Sequence, residues 1–271
     1  MNISDKDFFR LRDFIYTNFG VNLAKKRTLI EGRLSNFIIQ QGFEGFTDFI
    51  DDVFADKSGK KIDTLMTKLT TNYTYFMREE THYKFLQEIA LPYWVSQIKN
   101  NDLRIWSAGC SSGEEPYTTA MVLNEWFGPK ISQWETTVLA TDLSVRVLDL
   151  AKAGVYPEEH FENLSKAWKV KYFDKIGEEK YKIKPILAKG VHFAQLNLMT
   201  NFVPKFKKKF HVIFCRNVMI YFDSPTKEAL VRRYHDALEV GGYLFIGLSE
   251  SLSGIQGQLQ QVQPAIYRRV R

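Results

Sequence analysis

The spacing of apolar positions changes near residue 80. Upstream, Phe8, Leu11, Phe14, Ile15 and Phe19 recur at helical intervals, and Gly20 ends the run. Phe46, Phe49, Ile50, Val53 and Phe54 form a second stripe, and Ile62, Leu65, Met66 and Leu69 a third. Each predicts a helix with one face in a core. Downstream, helical spacing from His82 to Ile98 gives way to short buried runs that alternate with helices. The expected strands are Leu103–Trp106, Thr137–Thr141, Val191–Leu198, Phe210–Cys215 and Tyr243–Ile246, with Ala265–Val270 as a last edge strand. Helices are expected over Glu114–Phe127, Val145–Ala153 (stopped by Gly154) and Pro225–Leu238. Such alternation predicts a parallel sheet with helices on both faces. Residues 157–191 interrupt it. There Lys180–Leu187, KYKIKPIL, alternates like a strand with one wet face, and Pro185 puts that strand at an edge. The expected class is therefore α/β, with a small inserted β subdomain at about 157–191 and an N-terminal all-helical domain. The expected boundaries are 1–69 for the helical domain, 70–80 for a linker and 81–271 for the α/β domain.

Two stretches stand apart from this patterning. Thr70–Glu80, TTNYTYFMREE, has almost no apolar period, yet it is dense in aromatic and hydrogen-bonding groups rather than Gly, Ser or Pro. It reads either as an interdomain clasp or as a bridge into an active site. Leu103–Tyr117, LRIWSAGCSSGEEPY, runs from a buried strand through small residues to Glu114, Glu115 and Pro116, which suit the first turn of a helix. A strand, a glycine-containing turn and a helix start let backbone lie close to a nucleotide-like ligand. The turn is acidic, and neither Gly-x-Gly-x-x-Gly nor a Walker lysine is present, so a phosphate is a poor match. A ligand with positive charge and hydroxyls fits better, and S-adenosylmethionine has both. Asp142, at the end of the second expected strand, is placed to accept from ribose hydroxyls. Arg216 and Asn217 follow Phe210–Cys215 directly, where ligands bind in open α/β sheets.

The chain has 271 residues, 45% of them hydrophobic, enough for one large core plus a small satellite domain. Its net charge of +6 makes an acidic partner plausible, whether nucleic acid or a glutamate-rich protein surface. Two cysteines, Cys110 and Cys215, fit a reducing cytoplasm without a disulfide framework. The polar N-terminus is no signal peptide, no apolar run is long enough to span a membrane, and the five scattered histidines suggest no metal site. Lys25, Lys26, Arg27 and Arg33 lie on a segment that also carries Leu29, Ile30 and Leu34. They read as a solvated helix face or as a docking face for an acidic helix bundle.

Six motifs occur in order: NYTYFMRE (Asn72–Glu79), WSAGCSSGEEPY, ATD (Ala140–Asp142), NL (Asn197, Leu198), CRNVMIYF (Cys215–Phe222) and LSESL (Leu248–Leu252). Together they closely resemble the chemotaxis receptor methyltransferases, the CheR family, over nearly the whole chain. The resemblance implies a Rossmann-like S-adenosylmethionine-dependent methyltransferase sheet. It also implies methyl transfer to glutamate side-chain carboxylates of chemoreceptors, with S-adenosylhomocysteine as product. Carried over by position, Asn72, Thr74 and Arg78 would close over the cofactor. Gly109 would lie in its binding turn, Glu115 would take its cationic part or hydroxyls, and Asp142 its ribose. Asn197 and Leu198 would flank the adenine, and Arg216 and Asn217 the methionine end. Arg78 and Tyr221 would face the incoming carboxylate, and Lys25, Lys26, Arg27 and Arg33 would contact the receptor's cytoplasmic helical bundle.

The residue types agree with that chemistry. A glutamate with a pKa of about 4.3 is already ionised at neutral pH, so no general base is needed. The expected task is to hold a carboxylate oxygen in line with the methyl–sulfur bond. Tyr75, Phe76 and Phe222 could serve as cation–π partners or as simple packing. Cys215 reads as buried packing rather than a covalent nucleophile, since Phe214 stands where cytosine methyltransferases carry proline. The short loop between Lys175 and Lys180 leads to the expectation that no receptor-tail pentapeptide is used as a tether. Two rival functions are a nucleic-acid methyltransferase, favoured only by charge, and a non-catalytic cofactor-sensing module.

Overall fold

The computed structural model describes residues 1–71, 73–255 and 259–271. It divides into two compact units, Met1–Asn72 with Tyr221–Thr226, and Tyr73–Ile220 with Lys227–Arg271.

In the first unit the expected stripes become helices α1 (Asp5–Phe19), α2 (Arg27–Gln40), α3 (Phe46–Ala55) and α4 (Lys60–Leu69). Ser4 caps α1 by accepting from the Asp7 N–H, and Gly20 ends it in the left-handed region. Phe8, Leu11 and Ile15 of α1, Ile30, Leu34 and Ile38 of α2, Phe49, Ile50 and Val53 of α3, and Leu65 and Leu69 of α4 are buried. The short stretch Tyr221–Thr226 joins this unit by a bridge between Val21 and Phe222, and the Tyr16 hydroxyl donates to Asp223 at 2.9 Å.

The second unit opens with one helical run, α5 (Glu80–Phe85), a π-helical turn over Leu86–Ala90, and α6 (Leu91–Gln97). Then follow β1 (Ile105–Ala108), α7 (Glu114–Phe127), β2 (Val138–Asp142), α8 (Val145–Ala153) and β3 (Val155–Pro157). The chain continues through α9 (Lys166–Tyr172), β4 (Phe173–Lys175), β5 (Lys180–Ile183), α10 (Pro185–Ala188), β6 (Val191–Gln195) and β7 (Phe210–Cys215). It closes with α11 (Ser224–Ala237), β8 (Leu238–Ile246), β9 (Leu259–Gln263) and β10 (Ile266–Arg269). The main sheet runs β6-β2-β1-β7-β8-β10-β9. Its first five strands are parallel, β10 is antiparallel to β8, and β9 is antiparallel to β10. A second sheet, β3-β5-β4, is antiparallel. The expected α/β class with an inserted β element and a helical N-terminal part holds.

Two strand expectations need correction. KYKIKPIL stops being a strand at Ile183, and β5 is the middle strand of its sheet, not an edge. Pro185 instead opens α10, where its missing N–H costs nothing. Ala265–Val270 is likewise not the edge: β10 lies between β8 and β9. The edge strand β9, LQQVQ, is mostly glutamine and mostly exposed, so it carries no buried apolar run.

The sheet's core explains its stability. Trp106 is fully buried, with Phe202, Phe206, Phe210 and Tyr234 rings 5.0–5.5 Å away, and its indole N–H donates to Thr141 at 2.9 Å. Because β1 pairs with β2 on one side and β7 on the other, the strand order reverses between β1 and β7. Their carboxyl ends flank the crevice where ligands bind in such sheets.

Candidate active site

β1 delivers the chain into Gly109, whose φ of +93° suits glycine. A Cβ there would stand 2.4 Å from Val218 Cγ2. The Gly109 and Cys110 N–H groups donate to the Thr141 carbonyl at 2.8 and 2.9 Å, lacing the turn to β2. Asp142, at the end of β2, accepts from the Ser111 N–H at 2.9 Å and the Ser144 N–H at 3.0 Å. It therefore shapes the turns that follow β1 and β2. Glu115 sits at the start of α7 and accepts from the Ser107 hydroxyl at 2.6 Å. Burial pushes its carboxyl above the usual range, against the pull of Arg216 and Ser107. Asn197 follows β6 and accepts from the Met199 N–H at 2.9 Å, and Leu198 beside it is buried.

Arg216 is the hub of this crevice. It follows β7, its side chain is 2% exposed, and every partner is a nearby acceptor. Nε donates to Glu79 at 3.2 Å, and Nη1 to Glu115 at 3.1 Å and the Tyr83 hydroxyl at 3.1 Å. Nη2 donates to the Arg78 carbonyl. Burial opposes the guanidinium charge, but Tyr83, Glu115 and Glu79 outweigh it and push the pKa up. Asn217 comes next, with φ of +59°. Its N–H donates to Glu250 at 2.9 Å and its Nδ2 to Glu79 at 3.4 Å. Glu250 also accepts from the N–H groups of Gly247 and Ile220, so one buried carboxylate folds the whole turn after β7.

The segment ahead of α5 reaches the same crevice. Phe76 is fully buried against Tyr156, Phe161 and Phe173, with ring centres 4.9–5.0 Å apart, and its N–H donates to the His160 carbonyl at 3.0 Å. Phe76 is thus packing, the plainer of its two expected roles. Arg78 donates through Nη1 to the Tyr73 carbonyl at 2.8 Å, with its guanidinium 5.9 Å from the Tyr75 ring centre. Thr74 is half-buried in this segment. Asn72 lies outside the described residues. Glu114, expected only as a helix-start carboxylate, is fully buried, bonded to the Ser112 hydroxyl at 2.8 Å and to His160 Nδ1 at 2.7 Å. That bond raises the His160 pKa above its ordinary value, against burial.

The remaining candidates lie in the first unit. The Tyr221 hydroxyl accepts from the Thr71 N–H at 2.9 Å and lies 3.2 Å from the Thr71 carbonyl. Lys25 and Lys26 are exposed in the turn before α2. Arg27 pairs with Asp5 and donates to the Ile3 carbonyl at 2.8 Å. Arg33 donates to the Leu69 carbonyl at 2.6 Å and the Thr71 hydroxyl at 2.7 Å. The two lysines are thus the exposed cations of that set, and the two arginines also tie the helices together.

Sequence reading missed Glu79, Glu114, Glu250 and His160 as site-building groups. The first three stand inside quoted motifs, so their signal was present without a role. Among the described residues, Glu79 and Glu115 meet Arg216, Asp142 holds the turns after β1 and β2, Glu250 holds the turn after β7, and Glu114 pairs with His160. The one arginine is already held between two carboxylates. An anionic phosphate would meet a surplus of like charge here, whereas a sulfonium bearing an ammonium and ribose hydroxyls meets acceptors. The donor set therefore fits S-adenosylmethionine.

Comparison with known proteins decides the family. Residues 72–267 match "CheR methyltransferase, SAM binding domain", and residues 6–70 match "CheR methyltransferase, all-alpha domain". The chain belongs to the CheR methyltransferase family. It is 44% identical over 275 residues to the chemotaxis protein methyltransferase of Borreliella burgdorferi, covering 99% of this chain and 96% of that one. Chemotaxis protein methyltransferase 1 of Pseudomonas aeruginosa is 34% identical, with 100% of both chains covered. The Escherichia coli chemotaxis protein methyltransferase is 34% identical, covering 94% of this chain and 87% of the relative. Like its family, the chain is a methyltransferase that uses S-adenosylmethionine. Among the described residues, no helix is long and apolar enough to cross a membrane.

Proposed function

We propose that this CheR protein methylates glutamate side chains in the cytoplasmic helical bundle of chemoreceptors, yielding glutamate methyl esters and S-adenosylhomocysteine. The observation that carries the reading is a carboxylate-lined crevice suited to a cationic cofactor, in a chain whose residues 6–70 and 72–267 match the two domains of the family. When bound, the cofactor supplies an electrophilic methyl group. The protein's residues bind, orient and exclude water. Gly109 allows close backbone approach, Asp142 takes the ribose, and Asn197 and Leu198 flank the adenine. Glu115 takes the cationic part of the cofactor or its hydroxyls, and Arg216, which bridges Glu79 and Glu115, lines the methionine end with Asn217. Asn72, Thr74 and Arg78 close over the cofactor. Arg78 orients the incoming carboxylate, and Tyr221 is the second substrate-facing group. A carboxylate ionised at neutral pH needs only alignment, which is worth several kcal/mol by proximity.

By the same reading, residues 1–69 form a helical domain, 70–80 a linker that contributes to the site, and 81–271 the methyltransferase domain, with an insert at about 157–191. Lys25, Lys26, Arg27 and Arg33 contact the receptor. Recognition needs no receptor-tail pentapeptide tether, no nucleic acid and no membrane insertion, and the protein works in the cytoplasm. The test is transfer of label from methyl-labelled cofactor to a receptor fragment. Base-labile label on the receptor supports the reading. A protein that binds the cofactor but transfers nothing would be a sensing module, and label in nucleic acid would replace the reading outright.

A further inference from the structure

Glu79 lies in the left-handed region, with φ of 56°, and so does Met77, with φ of 62°. Two non-glycine residues in that region flank Arg78, a strained arrangement that its surroundings must hold. Glycine would meet the backbone demand at residue 79 without steric cost, so the use of a glutamate draws attention to its side chain. Oε2 accepts from Arg216 Nε at 3.2 Å, and Oε1 accepts from the Leu248 N–H at 3.2 Å and Asn217 Nδ2 at 3.4 Å. One carboxylate thus spans the carboxyl ends of β7 and β8. Arg216 completes the grip by donating to the Arg78 carbonyl. The main chain of residue 78 is clasped through its own carbonyl and through its neighbour's side chain.

We propose that Glu79 is a positioning residue that aims Arg78, acting through Arg216 and the tips of β7 and β8 rather than by touching substrate. This rests on the proposed role of Arg78 in orienting a carboxylate. The side chain is well made for the task. Burial disfavours its charge, but Arg216 and the Leu248 N–H outweigh that and hold the carboxyl below the usual range, so it stays an acceptor. His82, 3.4 Å away, is pushed down to about 4 by burial and then by Arg216, with Glu79 opposing, so it stays neutral and does not compete for the carboxylate.

The test is a double-mutant cycle of Glu79→Gln and Arg78→Ala, read as kcat and KM for a receptor fragment. It is paired with hydrogen exchange over residues 73–80 and the affinity for S-adenosylhomocysteine. Glu79→Gln should lower kcat about tenfold or more with a smaller change in KM, yet cost less than about twofold in an Arg78→Ala background. Exchange over 73–80 should quicken while β1 and β7 stay protected. Glu79→Asp, which keeps the charge but withdraws it, should fall between and serves if the glutamine variant does not fold. Losses that multiply independently, or unchanged exchange over 73–80, overturn the proposal. Absence of methyl transfer by the wild type would instead sink the functional reading, and exchange would still decide on Glu79.

Discussion

Among the described residues Arg78 makes no ion pair; its Nη1 rests on the Tyr73 carbonyl. A half-exposed arginine bonded to one carbonyl contributes little to folding, so its guanidinium is free to serve a substrate. Arg78→Ala should therefore lower methyl transfer about a hundredfold, while the melting temperature changes by no more than the small shift typical of surface substitutions. Steady-state kinetics beside a thermal melt checks this, and near-normal turnover removes Arg78 from the mechanism. Gly109→Ala is expected to behave differently. A Cβ 2.4 Å from Val218 Cγ2 on a residue with φ of +93° must displace the turn, so both cofactor affinity and melting temperature should fall. Cys215 is fully buried, and burial pushes its thiol well above the ordinary value. A thiol held protonated is a poor nucleophile, and Cys215→Ser should keep turnover in the same assay.

The element that most needs support is the segment before α5, because it has no regular structure of its own. Phe76 anchors it to the aromatic cluster of β3 and β4 and their connections. Phe76→Ala should cost about 3–5 kcal/mol in chemical denaturation, the usual range for an aromatic removed from a core. It should also weaken cofactor binding. The regular elements around this segment were legible beforehand. β1 and β7 are buried on both faces and read as continuous apolar runs, and α7 and α8 carry clear starts and stops. β9 was not legible, because an exposed edge strand of glutamines has neither period nor burial. The ion pairs of the site were hidden for another reason. Arg216 and Glu79 are 137 positions apart, and no local pattern reports a partner at that distance. Motif residues such as Asp142 and Arg216 could be singled out from the sequence. That Arg216 is a hub, and that Glu79 and Glu250 build the turns around it, needed coordinates.

At the scale of the whole molecule, two buried histidines weaken the fold towards acid. Burial, followed by Arg216 for His82 and Arg104 for His211, lowers each imidazole to about 4. In the unfolded chain each titrates near 6.5. Between those values the unfolded state binds more protons at these two groups, so their contribution to stability is full above about pH 6.5 and falls as pH drops towards 4. Denaturation midpoints measured across that window should decline, and a His82→Phe, His211→Phe double variant should lose part of that slope. The net charge of +6 leads to a different expectation. Binding to DNA should be weak and collapse steeply with salt, whereas methyl transfer to a receptor should outlast it. Receptor-tail peptides should not bind, and micromolar affinity for one would overturn the tether-free reading. The central claim is that a carboxylate already ionised is aligned with a methyl donor in this crevice. Mass spectrometry of a receptor fragment, after incubation with the wild-type protein and S-adenosylmethionine, tests it most directly. The account predicts methyl esters on glutamate side chains, removed by mild base and greatly reduced with Arg78→Ala. Methyl groups on lysine, cysteine or nucleic acid, or unmodified glutamates after full cofactor turnover, would contradict it.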